Sequence, residues 1–305
     1  MTGAFLALDW GTTNLRAWIV DERGAVLQRR EFPLGVGGLA AGEAARRFHD
    51  EVRPAMGAED MPAMLCGMIG STLGWKAIPY LDCQVAFDGL HRALHRVDEG
   101  GAPVWIVPGL RALRPDGGPD VMRGEETHIF GWAVEDPARS RGEHLICHPG
   151  THAKWVRMVD GRIETFVTSM TGELFALLRK HSALRVAGAE DDPAAFALGI
   201  EAAGDGSALA SRLFTARSRV VGGDLPAGSA ESYLSGLLIG AEAASTPRLL
   251  GVDEGASVSI IGDLALCAHY RRALEARGYR ADVFDGEHAV LTGLSALFRE
   301  VAATC

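Results

Sequence analysis

The sequence predicts an α/β protein made of two duplicated domains with a cleft between them. Its 305 residues are enough for two domains of roughly 130 to 170 residues each. One short pattern also occurs twice, because Asp9-x-Gly11-Thr12 and His148-x-Gly150-Thr151 lie 139 residues apart, about one small domain. Strand-like and helical segments alternate after each copy. We therefore expect one domain over residues 1–132 and a second over 133–305.

The first copy opens with an apolar strand at residues 5–8, which ends in a polar turn at 9–13. The chain returns as a strand at 15–20, turns at 21–24 and continues as a third strand at 25–30. The three strands together are expected to form an antiparallel unit. The rest of this half predicts helices at 43–52 and 90–97 and strands at 64–69 and 104–107.

The second copy repeats the arrangement around the turn at residues 148–152. Strands are predicted at 144–147, 153–159 and 162–168, the last two joined by Asp160-Gly161, a strong hairpin signal. Later segments predict helices at 172–181, 230–244, 264–277 and 287–301 and strands at 258–261 and 280–284.

Composition excludes several classes of protein. A net charge of −9 disfavours binding to nucleic acid, which needs clustered Lys and Arg. The five cysteines form no CxxC pair, so neither a zinc site nor a disulfide framework is expected. The N-terminus lacks the pattern of a signal peptide and no run of 18 apolar residues occurs, which predicts a cytoplasmic protein without a membrane span. The oligomeric state is open, with a homodimer as one option.

The two Gly-Thr turns are candidate phosphate sites. Gly11 permits close approach of a phosphate to the backbone, while Thr12 and Thr13 supply amide and hydroxyl donors. Asp9, at the strand end, is placed to hold Mg²⁺ through water. A lone turn of this kind is also compatible with ordinary surface structure.

The second turn makes phosphate binding the better interpretation. Gly150 and Thr151 would hold the other end of a triphosphate, with Lys154 as a point charge for an oxygen. Two such turns facing each other across a cleft would allow both domains to clasp one ATP molecule.

Four segments resemble a known family. They are DWGTTNLR (9–16), CGMIGSTLGW (66–75), MRGEET (122–127) and PGTHAKW (149–155). The first is similar to the phosphate motif of the actin/hexokinase/sugar-kinase superfamily, and together they resemble the 2-dehydro-3-deoxygalactonokinase family. His148 departs from the apolar residue expected before Pro-Gly-Thr.

The resemblance implies two ribonuclease-H-like, actin-type ATPase domains. It also implies ATP-dependent phosphorylation of 2-dehydro-3-deoxy-D-galactonate to its 6-phosphate in galactonate catabolism. In the superfamily the adenosine motif corresponds to residues 260–263, which assigns Gly262 and Asp263 to the nucleotide, although Asp263 stands where a second glycine is often found. The alternative for Asp263 is ordinary capping of the following helix.

Transfer of the γ-phosphoryl group requires a carboxylate that accepts the proton of the sugar hydroxyl. Glu125 and Glu126 are the candidates, and their position is similar to the segment that carries the base in related carbohydrate kinases. Glu125 is preferred because it follows Gly124. Adjacent acidic residues in a first helical turn also complement the helix dipole, which is the alternative for either residue.

A sugar acid also needs a partner for its carboxylate, and a guanidinium can bind one in bidentate fashion. Arg16 and Arg123 are the candidates. Ser71, Trp75 and Tyr80 lie in the family-like part of the first domain and are candidate hydroxyl contacts and an apolar wall. Trp75 is equally compatible with a place in the core.

The sequence leaves three rivals to this interpretation. A kinase of the same fold for another sugar is the nearest, because the phosphate motifs do not define the acceptor. A non-catalytic ATP-binding regulator is disfavoured because no basic DNA-reading module precedes Asp9. A dinucleotide-binding oxidoreductase is excluded because no G-x-G-x-x-G opens a helix after the first strand.

Overall fold

A computed structural model of the chain describes residues 3–97, 101–185 and 190–304. The strands are β1 (Phe5–Trp10), β2 (Leu15–Val20), β3 (Val26–Phe32), β4 (Ala63–Gly67), β5 (Leu81–Asp82), β6 (Val85–Ala86), β7 (His95–Val97), β8 (Val104–Ile106), β9 (Leu110–Leu113), β10 (Pro119–Met122), β11 (Glu143–His148), β12 (Ala153–Val159), β13 (Arg162–Ser169), β14 (Ser257–Gly262) and β15 (Arg280–Asp285). The helices are α1 (Glu43–Arg47), α2 (Arg53–Met56), α3 (Phe87–Arg92), α4 (Glu125–Glu135), α5 (Thr171–His181), α6 (Pro193–Ala202), α7 (Leu209–Arg212), α8 (Thr215–Gly222), α9 (Ala230–Leu249), α10 (Leu264–Glu275) and α11 (Gly286–Thr304). None of these helices is both long enough and apolar enough to cross a bilayer.

The two halves of the chain contain equivalent sheets. The first runs β3-β2-β1-β4-β8 and the second β13-β12-β11-β14-β15. In each, the first three strands in sequence are antiparallel neighbours, and the fourth pairs in parallel with the first. The duplication of ribonuclease-H-like domains is therefore confirmed, and the two Gly-Thr turns occupy equivalent positions after β1 and β11.

Most strands were predicted because they carry apolar residues between turn signals. β1 is an example, since Phe5, Leu6, Ala7 and Leu8 are all buried in the first half's sheet. The helix predicted for residues 90–97 is wrong in its second part, where α3 ends at Arg92 and β7 begins at His95. Antiparallel pairing of β7 with β8 overrides the local helical spacing there.

The sequence patterns did not reveal a small sheet in the order β10-β9-β5 or the helices α6, α7 and α8. The strands of the small sheet have two to four residues each, too few to show a period. This sheet leads directly into α4, the helix that carries Glu125 and Glu126.

The two halves are tied together by β6 and α11, among other contacts. β6, from the first half, pairs antiparallel with β13 and extends the second sheet. α11 returns to the first half, where Phe298 stacks on Phe5 with ring centroids 4.2 Å apart and Glu287 accepts a hydrogen bond of 3.1 Å from Trp18 Nε1. The domain boundary at residues 132 and 133 stays a prediction.

Glycines allow α4 and α11 to cross at backbone contact. A Cβ atom on Gly131 would lie 1.9 Å from the carbonyl oxygen of Ala289, and one on Gly293 would lie 2.3 Å from that of Thr127. No side chain fits in either place. The crossing fixes α4, and with it the position of the two glutamates at its start.

Replacing Gly131 by alanine should lower the free energy of unfolding by about 3 kcal/mol, because the added methyl group forces the two helices apart. Urea denaturation of the purified variant measures the change. Gly38→Ala is the matched control, since a Cβ at Gly38 meets no atom within 4 Å and should change stability by less than about 0.5 kcal/mol. Equal stability of the two variants would contradict the assigned contact.

Candidate active site

The first Gly-Thr turn packs on a second loop, residues 35–37, that the sequence patterns did not identify. The amide of Gly11 donates to the carbonyl of Asn14 at 2.9 Å, while the amides of Val36 and Gly37 donate to the carbonyls of Gly11 and Thr12 at 3.1 and 3.0 Å. A Cβ on Gly35 would lie 2.1 Å from the Thr12 carbonyl oxygen, so glycine is required for this approach. Thr12 and Thr13 remain exposed above this loop.

Asp9 is held as a carboxylate at the end of β1. It accepts a hydrogen bond from Arg16, the residue opposite it on β2, and its Oδ2 lies 3.7 Å from His128 Nε2. Burial acts to raise the pKa of Asp9, but His128 and the charge of Arg16 outweigh burial and hold the pKa well below its usual range. Asp9 is therefore ionised at neutral pH.

The start of α4 lies against the ends of β1 and β4. Gly67 pairs with Trp10 in the parallel β1–β4 register. A Cβ on Gly124 would lie only 3.0 Å from Cα of Gly67, and both glycines have positive φ, +112° and +91°. This contact brings the segment that contains Arg123, Glu125 and Glu126 next to the strand end that carries Asp9.

The two glutamates have different surroundings. Glu126 is fully buried, and its carboxylate accepts hydrogen bonds from the Gly124 amide at 2.7 Å and from Thr127 Oγ1 at 3.0 Å. Burial, together with the neighbouring charge of Glu125, raises the pKa of Glu126 to about 7. Glu126 thereby satisfies an amide that would otherwise lack a partner at the N-terminus of α4.

Glu125 is partly exposed, with 22% of its side chain accessible. Its Oε2 accepts a hydrogen bond of 2.9 Å from the Arg123 amide, and its Oε1 lies 4.0 Å from Lys154 Nζ. Of the two carboxylates, Glu125 is the one that a bound molecule can reach.

The second Gly-Thr turn is backed by the start of α5. The amide of Glu173 donates to the Thr151 carbonyl at 3.0 Å, and a Cβ on Gly172 would lie 2.4 Å from the Gly150 carbonyl oxygen. Thr151 is exposed. The turn opens directly into a cavity of about 480 Å³, a volume suited to a nucleoside.

The cavity is walled by α5, α6, α9 and α10. Its lining includes Thr171, Phe175, Phe196, Ser235, Ile239, Leu266, His269, Tyr270 and Arg272. The rings of Phe196 and His269 have centroids 4.7 Å apart, and Arg272 lies 5.0 Å from the Phe196 ring. None of these residues was predicted from the sequence, because they come from four helices and share no local motif.

Close packing of α6 on α9 fixes one wall of the cavity. A Cβ on Gly236 would lie 2.0 Å from the Phe196 carbonyl oxygen. Beneath the cavity, the buried carboxylate of Glu242 accepts hydrogen bonds from Tyr270 at 2.9 Å and from Trp155 Nε1. Burial raises the pKa of Glu242 to about 7.

Gly262 and Asp263 stand beside the cavity without being among its lining residues. Asp263 accepts a hydrogen bond of 2.9 Å from the Leu266 amide and caps α10, as the capping interpretation expects. A Cβ on Gly286 would lie 2.8 Å from Cα of Gly262. Gly286, at the start of α11, therefore packs directly on the backbone of Gly262.

Arg123 and Tyr80 are brought together. The guanidinium carbon lies 4.2 Å from the Tyr80 ring centroid, and Nη2 donates to the Ile78 carbonyl at 2.7 Å. Arg123 is 7% exposed, and within the described residues its Nε and Nη1 have no hydrogen-bond partner. Both nitrogens are buried, so a substrate carboxylate would reach them only after the surrounding residues move.

The other predicted substrate contacts have local partners. Arg16 binds Asp9. Trp75 is partly buried and packs against the core residue Phe48, with ring centroids 5.3 Å apart, so its role as an apolar wall of the site stays a prediction. Ser71 Oγ accepts a hydrogen bond of 3.2 Å from the Leu73 amide.

His148, the departure from the family pattern, contacts His128 of α4 with ring centroids 4.7 Å apart. Burial, with a contribution from His128, lowers the pKa of His148 to about 3, so this ring is neutral. Across the described ranges, no cluster of three or more His, Cys, Asp or Glu side chains could hold a metal ion by itself. A single carboxylate such as Asp9 nevertheless suits Mg²⁺, which commonly binds to one or two carboxylates, water and substrate phosphates.

Comparison with known proteins gives a consistent result. The sequence pattern of the 2-keto-3-deoxy-galactonokinase family matches residues 9–297. The chain is 38% identical to a Rhizobium meliloti (strain 1021) protein assigned as a 2-dehydro-3-deoxygalactonokinase, with 98% of each chain covered. It is 35% identical to the Escherichia coli (strain K12) 2-dehydro-3-deoxygalactonokinase, over 99% of this chain and all of that one.

A solved structure agrees with these matches. The crystal structure of a Sinorhizobium meliloti protein, also assigned as a 2-dehydro-3-deoxygalactonokinase, superimposes with a TM-score of 0.88 at 36% identity. The superposition covers 97% of this chain and 99% of that one.

Proposed function

The chain belongs to the 2-keto-3-deoxy-galactonokinase family, and we propose that it uses MgATP to phosphorylate 2-dehydro-3-deoxy-D-galactonate to its 6-phosphate, a step of galactonate catabolism. The observation that carries the proposal is the family match over residues 9–297. The arrangement of the candidate site supports it, because two Gly-Thr turns in equivalent positions accompany a nucleoside-sized cavity and an accessible carboxylate.

ATP binds between the two turns in this proposal. The exposed donors of Thr12, Thr13 and Thr151 hold phosphate oxygens, and the glycines beside them allow close approach. The nucleoside enters the cavity that begins at Gly150 and Thr151, where Phe196 and His269 offer ring surfaces for the base.

Asp9 is the residue that would hold Mg²⁺. Its carboxylate is ionised, lies at a strand end next to Gly11, and remains 12% accessible. The bound cation would neutralise charge that develops on the phosphoryl oxygens during transfer.

Glu125 acts as the general base in the proposed reaction. Its accessible carboxylate accepts the proton of the acceptor hydroxyl as the hydroxyl oxygen attacks the γ-phosphoryl group, and ADP leaves. Arg123, with two unpartnered donors, binds the substrate carboxylate and so favours sugar acids over neutral sugars.

The proposed substrate is tested by measuring ADP release with a panel of acceptors. We expect kcat/KM to be highest for 2-dehydro-3-deoxy-D-galactonate and about a hundredfold lower for neutral sugars, which lack the charge-assisted contact to Arg123. The epimeric 2-dehydro-3-deoxy-D-gluconate serves as the closest control. A preference for a neutral sugar would replace the proposal with a kinase of another substrate.

Asp9→Asn should abolish most of the Mg²⁺-dependent activity, because an amide is a poorer ligand for this hard cation. Titration of Mg²⁺ at saturating ATP should show a raised half-saturation concentration, with kcat reduced about a hundredfold or more. Circular dichroism checks that the variant is folded. Wild-type turnover and Mg²⁺ dependence in a folded Asp9→Asn protein would remove Asp9 from this role.

Glu125→Gln should lower kcat by about two to four orders of magnitude while the affinity for ATP changes little, since the base does not contact the nucleotide. Glu126→Gln is the matched control and should lower kcat less, because Glu126 is buried and capping. Steady-state kinetics and nucleotide binding by calorimetry separate the two effects. A large loss confined to Glu126→Gln would transfer the role to that residue.

A further inference from the structure

Lys154 does not point into the phosphate turns. It lies on β12, three residues after Thr151, and only 7% of its side chain is accessible. Its ammonium group donates to Thr168 Oγ1 at 2.9 Å and to the carbonyl of Val121 at 3.1 Å. Its remaining close contact is Glu125 Oε1, 4.0 Å away.

Thr168 connects Lys154 to the segment that precedes Glu125. It is the direct neighbour of Lys154 across the β12–β13 pair. Its hydroxyl and amide donate to the two carboxylate oxygens of Asp120, at 2.6 and 2.7 Å. Lys154 and Thr168 of the second sheet thereby contact Asp120, Val121 and Glu125, all from the β10–α4 segment of the first half.

The carboxylate of Glu125 has a fixed neighbour on each oxygen. The Arg123 amide donates to Oε2, and Lys154 is the charged group that faces Oε1. A carboxylate bounded on both sides in this way has few rotamers left, which favours one orientation toward the acceptor hydroxyl. A lysine whose hydrogen bonds go to Thr168 and Val121 has only one donor left, and Glu125 is the nearest anion.

We propose that Lys154 is a positioning residue for Glu125, and that the Lys154–Thr168–Asp120 chain couples the catalytic carboxylate to the second sheet. This inference rests on the proposed function, because it assumes that Glu125 is the base. It replaces the interpretation of Lys154 as a point charge for a nucleotide oxygen. Lys154 would act on the orientation of the base and therefore on kcat, with little effect on ATP binding.

The test is a double-mutant cycle with Lys154→Met and Glu125→Gln. We expect Lys154→Met to lower kcat about ten- to a hundredfold in the wild-type background, with KM for ATP changed less than about threefold. In the Glu125→Gln background the same substitution should lower kcat by less than about threefold, since there is no base left to position. Lys154→Arg, which keeps the charge, should recover part of the activity.

Thr168→Val probes the same chain without touching the lysine, and it decides the matter if Lys154→Met does not fold. It should lower kcat about three- to tenfold, again only when Glu125 is present. Thr165→Val is the matched control on the same strand, because Thr165 Oγ1 donates to the Leu113 carbonyl at 2.9 Å and does not contact Lys154. Lys180→Met, at an exposed position of α5, controls for loss of positive charge. Both controls should keep wild-type kcat.

Two results would overturn the inference. A rise of tenfold or more in KM for ATP, with kcat unchanged, would assign Lys154 to the nucleotide, and equal losses in both backgrounds would make its role merely structural. A third outcome, a wild-type kcat in the single variant Glu125→Gln, bears on the proposed function and not on Lys154 alone. It would refute Glu125 as the base and leave the family assignment and the ADP-release panel to be judged separately.

Discussion

The contact between Gly67 and Gly124 is the constraint on which the proposed site depends. It joins the end of β4 to the start of α4 with only 3.0 Å between Cα of Gly67 and a Cβ built on Gly124, and both residues have positive φ, which favours glycine. Because β4 pairs in parallel with β1, the same contact places the first turn of α4 beside Asp9. The crossing of α4 and α11 holds the helix from its other side, so the proposed base is carried by a rigid element.

Burial separates the roles of two adjacent glutamates that have the same chemistry. Glu126 is enclosed, and it satisfies the amide of Gly124, one of the free donors at the helix N-terminus. Glu125 points about 100° away around the helix axis and remains accessible. The helix-dipole interpretation and the general-base interpretation thus both fit the segment, each for a different residue.

Duplication supplies two similar turns, and the surroundings make them different. The first turn has an ionised aspartate, Asp9, at its strand end, whereas the equivalent position in the second half is His148, whose pKa is lowered to about 3 by burial. The second turn instead opens into the large cavity of the helical layer. The halves are joined by contacts of β6, α11 and Lys154.

The sequence by itself determined the duplicated fold, the two Gly-Thr turns, and the candidacy of Asp9 and Glu125, because each depends on residues close together in the chain. It did not determine the cavity, whose walls come from four helices, or the short strands that lead into α4. Only the tertiary structure decided which glutamate is accessible, that Trp75 packs against the edge of the core, and that Lys154 faces Glu125. The physical reason is that burial and contact are properties of the packed chain, set by residues tens or hundreds of positions apart.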